Sequence, residues 1–147
     1  MHVYPLNLRW TGDTSQSPFS RAATASVDGK PDIAVSSGMG DGADVSKWNP
    51  EDLLGASLGQ CHLLTFLALA AKVQLKVLSY DDHVAVELDT VDKVTRVTRI
   101  VLSPTITVAS GTDHEKVKLM FEKAHKYCFI GNSITAQVAM FPNVIDG

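Results

Sequence analysis

Cysteine is scarce in this chain: of its 147 residues only Cys61 and Cys128 carry a thiol. Two cysteines cannot build the framework of a small disulfide-stapled protein, and a chain of this size needs none, because it buries roughly 68–70% of its unfolded surface on folding. Cationic clusters are missing as well. Thirteen Lys and Arg stand against 16 Asp and Glu, a net charge of -3, with a pI near 5.9. A nucleic-acid-binding face, which must displace counterions from phosphates, is therefore not expected. The opening residues, MHVYPLNLRW, lack a cationic stretch leading into a long apolar one, so no secretory signal is read and a reducing cytoplasm is the expected location. Long uninterrupted apolar runs are absent too. Residues 53–71 carry no Asp, Glu, Lys or Arg, yet Gly55, Ser57, Gly59, Gln60, His62 and Thr65 break the run. A helix inside a soluble protein explains that composition better than a membrane span.

What is present is 45% hydrophobic residues in clear periods. Residues 2–10 and 22–35 read as extended, the second holding Asp28-Gly29 as a hairpin turn. Residues 36–48, SSGMGDGADVSKW, form a loop. Asn49-Pro50-Glu51-Asp52 then opens a helix: Asn suits the cap, Pro at the first helical position lacks only an amide that would be orphaned, and acids there complement the dipole. Apolar on nearly every face, this helix should be central and covered by sheet or by another chain. From residue 75 to 110 the period changes to two, predicting two or three antiparallel strands with Pro104 at an edge or bulge. Thr112-Asp113-His114-Glu115 has the form of a capping box for a second helix ending near Cys128, and residues 135–140 make a last strand. The order predicts an α+β fold in a single domain over 1–147: strands in 1–48, a helix over 49–73, strands over 75–110, a helix over 112–128 and a strand over 134–142.

Three kinds of chemistry compete for the cysteines. A free cysteine in a helix is commonly a small buried hydrophobe. Two thiols on two helices also suit a reversible dithiol–disulfide cycle, with one sulfur attacking and one resolving. Cys61-His62 and His125-x-x-Cys128 together offer four zinc ligands, but neighbours on a helix point ~100° apart and neither spacing is that of a finger, so no metal is expected. A Cys-His hydrolase lacks its nucleophile turn, since Cys61 lies within a helix. His2, His83 and His114 read as solvated surface residues. Glu51 lies ten residues before Cys61, roughly 15 Å along the axis and ~80° around it, too far to touch that sulfur within one helix.

Asn49-Pro50-Glu51-Asp52-Leu53-Leu54-Gly55-Ala56-Ser57-Leu58-Gly59-Gln60-Cys61-His62 resembles the signature of the OsmC/Ohr family, the osmotically induced and organic hydroperoxide resistance proteins. Ala124-His125, Cys128 and Ile130-Gly131-Asn132-Ser133 are similar to the segment around that family's second cysteine, and Trp10-Thr11-Gly12-Asp13 fits its opening. The resemblance implies antiparallel sheets around a long buried helix and a second helix, in an intertwined homodimer with its sites at the subunit interface. It further implies a thiol-dependent peroxidase acting on organic hydroperoxides in oxidative stress defence.

By the same resemblance Cys61 is the peroxidatic nucleophile and Cys128 the resolving thiol. Glu51 matches the family's glutamate, and Arg21 is the candidate for its arginine partner, both meeting the other chain's Cys61 across an isologous interface. No cofactor is implied beyond an external dithiol reductant of lipoyl type. Phe129 departs from the family's usual proline after the second cysteine, and the loop before the Asn-Pro-Glu motif holds Lys47 rather than an arginine. The alternative function is a non-catalytic protein that holds an apolar small molecule in the interface pocket, lined by Leu, Phe and Met.

Overall fold

The computed structural model describes all residues, 1–147. The chain falls into two compact units, Met1–Leu53 and Leu54–Gly147.

In the first unit, β1 (Asn7–Arg9), β2 (Ala23–Ser26) and β3 (Ile33–Val35) form an antiparallel sheet in that order. The β2–β3 turn is the expected one: the Lys30 amide donates to the Val27 carbonyl at 3.0 Å, and Gly29 supplies a φ of +75° that a side chain would resist. Gly42, at φ +77°, lies so near the Phe19 carbonyl that a Cβ would fall 1.9 Å from its oxygen. Only glycine lets the loop pass there.

Helix α1 (Pro50–Lys72) starts where the sequence places it. Asn49 Oδ1 accepts the Asp52 amide at 2.8 Å while Asp52 Oδ2 accepts the Asn49 amide at 3.1 Å, a reciprocal cap that satisfies two otherwise orphaned donors. By length and composition alone α1 could cross a membrane. Within the chain, however, Gly55, Leu58, Gly59, His62, Phe66 and Ala70 are buried along one stripe. The other face, with Leu64 and Leu67, stays exposed.

The second unit holds β4 (Val77–Asp82), β5 (Ala85–Val91), β6 (Val94–Leu102), β7 (Pro104–Val108), α2 (His114–Ala124), β8 (Gln137–Met140) and β9 (Asn143–Asp146). Four strands precede α2, where two or three were expected. They make two three-stranded sheets, β4-β7-β9 and β5-β6-β8. The pairs β4–β7 and β5–β6 are antiparallel, whereas β6–β8 and β7–β9 are parallel. The sheets are therefore mixed, because the strands after α2 return in the same direction as their neighbours.

Pro104 lies neither at an edge nor in a bulge but at the first position of the central strand β7, another place that tolerates a missing amide. Asp92 and Lys93, both at positive φ, make the tight β5–β6 turn that keeps the strand twist. The α2 cap is Asp113, which accepts the Glu115 and Lys116 amides; Thr112 instead donates its hydroxyl to the Ala109 carbonyl. The core joins Leu58 and Phe66 of α1 to Ile100, Leu102, Ile106 and Val108 of the sheets and to Val117, Phe121 and Ala124 of α2. Gly55 and Gly59 bring α1 against β5 and the residue before it: a Cβ at Gly55 would sit 2.7 Å from Val86 Cγ2, and one at Gly59 3.1 Å from Val84 Cγ2.

Candidate active site

Cys61 is half-buried in the fourth turn of α1 and packs on the edge of the core, while Cys128 is fully buried within it. Both are free thiols. Helix α2 tightens at its end into a 3-10 turn, His125–Tyr127, and Cys128 follows in extended conformation. That sharp exit turns the Cys128 side chain inward beside Cys61. The two thiols are neighbours, Cys61 packing against the buried cluster that contains Cys128. The Cys128 sulfur also accepts the Gly131 amide at 3.3 Å. Burial, and then the neighbouring Cys61 thiol, push Cys128 up to about 11, so it rests as a thiol at neutral pH.

Cys61 opens onto an apolar groove of about 610 Å³ lined by Leu64, Ala68, Leu69, Tyr127, Phe129 and Ile130, with Ser57, Gln60 and Thr65 as its polar members. The Thr65 hydroxyl is engaged, donating to the Cys61 carbonyl at 2.9 Å. No charged residue lines the groove, which suits an uncharged, largely apolar ligand. Leucine and phenylalanine line this groove of the single chain, and methionine does not. Tyr127, Phe129 and Ile130 surround Cys128 in sequence, and only the turn after α2 brings them to Cys61.

His62, next to Cys61, and His125, three residues before Cys128, have their rings 6.3 Å apart. His62 is fully buried and its Nε2 donates to the Phe121 carbonyl at 2.7 Å. Its pKa is lowered by burial, so the ring stays neutral. The Nδ1 atoms of both histidines are buried without a partner. These histidines and the cysteines do not converge as a metal-binding group.

Arg21 and Glu51 lie in the first unit. The Arg21 amide donates to Gly42 at 3.0 Å, and its exposed guanidinium stands 5.7 Å from the Phe19 ring centroid. Glu51 is in the first turn of α1. No ion pair joins Arg21 to Glu51 within the chain.

Residues 40–140 match the family model described as OsmC-like protein. The chain belongs to this family. The OsmC-like fold extends over the whole molecule: an OsmC-like protein of unknown function from Vibrio cholerae superposes with a TM-score of 0.87 at 30% identity, over 99% of this chain and 100% of that one. An organic hydroperoxide resistance protein from Elizabethkingia anophelis shares the fold at a TM-score of 0.71 and 19% identity, covering 99% of both chains. OhrB of Bacillus subtilis, an organic hydroperoxide resistance protein, does so at 0.65 and 17%, covering 98% of each. A search of curated proteins finds no match.

Proposed function

We propose that this OsmC-like protein is a thiol-dependent peroxidase that reduces organic hydroperoxides to alcohols. The observation that carries the reading is the adjacency of two free thiols, one of them opening onto an apolar, uncharged groove. Organic hydroperoxide resistance proteins among the solved structures of this fold point the same way.

In this reading the Cys61 thiolate attacks one peroxide oxygen and the O–O bond breaks. The alkoxide takes a proton and leaves as the alcohol, and Cys61 becomes a sulfenic acid. Cys128 then condenses with it: an S–S bond forms, the S–O bond breaks, and water carries away the hydroxyl and the thiol proton. An external dithiol, of lipoyl type by family likeness, reopens the disulfide and is itself oxidised. The working unit is a homodimer in which the partner subunit's Arg21, held by the partner's Glu51, stands beside Cys61. A guanidinium there favours the thiolate and stabilises charge developing on the peroxide oxygen. The free thiols suit the reducing cytoplasm.

The test is stoichiometric. Reduced protein mixed with tert-butyl hydroperoxide should consume one equivalent and form an intramolecular Cys61–Cys128 disulfide, and Cys61→Ser should abolish both. Thiols that survive this treatment would favour the other reading of the groove, a binding site for an apolar small molecule.

A further inference from the structure

The Phe121 carbonyl lies one turn before the end of α2, where a regular helix would give it the amide four residues on. That amide, on His125, turns instead to the Glu122 and Lys123 carbonyls as the helix tightens into its 3-10 turn. Nε2 of His62 meets the Phe121 carbonyl at 2.7 Å. Because a carbonyl only accepts, the proton is on Nε2 and Nδ1 is the bare nitrogen. The ring is 0% exposed and Nδ1 has no partner, a burial that a leucine in the same space would avoid. The one bond the ring does make runs from the residue beside Cys61 to the backbone of α2, which leads through the 3-10 turn to Cys128.

We infer that His62 is the positioning residue of the thiol pair: its Nε2–H holds the end of α2 in the tightened turn that delivers Cys128 to Cys61. This rests on reading the two thiols as a working pair. His62 touches neither peroxide nor reductant. Its effect falls on the closing of the disulfide, where a misplacement of about 1 Å can cost on the order of a hundredfold.

Three variants separate this from general packing. In His62→Gln the side-chain amide replaces Nε2 as donor; in His62→Asn the amide is too short to reach Phe121; in His62→Leu the donor is gone. Disulfide closure is followed by quenched mass spectrometry after adding diamide, which takes two electrons and two protons from the thiols and becomes the hydrazine. Closure should stay within about twofold of wild type in His62→Gln and slow by at least about tenfold in His62→Asn and His62→Leu. With tert-butyl hydroperoxide, the slow variants should accumulate a sulfenic acid that dimedone traps, while its formation keeps the wild-type rate.

Equal closure rates in the glutamine and asparagine variants would overturn the inference, and so would unchanged closure in His62→Leu. Should the leucine variant fail to fold, the two amides decide alone. Diamide needs no peroxidase chemistry, so a wild-type protein inert to peroxide would sink the peroxidase reading and leave this comparison standing.

Discussion

The buried sulfur of Cys128 accepts the Gly131 amide at 3.3 Å, yet that bond does not offset burial, which pushes the thiol from an ordinary 9.0 up to about 11. The consequence is a pH-dependent stability with a definite sign. Between these two values the unfolded chain has lost a proton that the native chain keeps, so stability falls as pH rises through the window. The loss is at most about 3 kcal/mol. Urea midpoints of the reduced protein, measured across that window, should fall further in wild type than in Cys128→Ala. Parallel curves for the two proteins would contradict the assignment.

His62 predicts the opposite limb. Its native pKa is lowered from 6.5 by burial, so below that value the unfolded state binds a proton that the folded state refuses, and stability is lost as pH falls. In His62→Gln this contribution disappears. Thermal melts between neutral and mildly acid pH should therefore flatten in the variant, and an unchanged slope would show that another group is responsible.

If the partner's Arg21 and Glu51 complete the site around Cys61, two inactive chains can repair one another. Arg21→Ala lacks the guanidinium but keeps Cys61, while Cys61→Ser keeps the guanidinium and lacks the nucleophile. After subunit exchange, each heterodimer would contain one intact site, restoring about a quarter of wild-type peroxide turnover. No recovery in a mixture shown by mass spectrometry to contain heterodimers would exclude a site shared in this way.

Gly55→Ala tests the packing of α1. Alanine favours a helix over glycine by about 1 kcal/mol, but its Cβ would lie 2.7 Å from Val86 Cγ2 and 3.4 Å from Val84 Cγ1. A β-branched neighbour has little freedom to yield. Overpacking should win, with net destabilisation of about 1–2 kcal/mol by denaturant titration.

Local chemistry was legible in the sequence wherever it acts within a few residues. The Asn49–Asp52 cap, the Asp28-Gly29 turn and the span of α1 follow from groups that meet their own neighbours. The cap of α2 was displaced by one residue because Asp113 and Thr112 both suit the role, and Thr112 found the Ala109 carbonyl first. Strand β9 went unread: only four residues long, it is held by parallel pairing with β7, a partner that local pattern does not announce.

The sequence by itself determined two thiols, their placement on or just beyond separate helices, and the family to which the surrounding motifs belong. Tertiary structure alone decided that Cys128 lies against Cys61, that Phe129 and Tyr127 wall the groove beside it, and that His62 reaches Phe121 across 59 positions of chain. The reason is one of range. Capping and turn formation join groups already close along the chain, whereas the approach of two sulfurs depends on how α2 ends and on which face α1 turns toward the core.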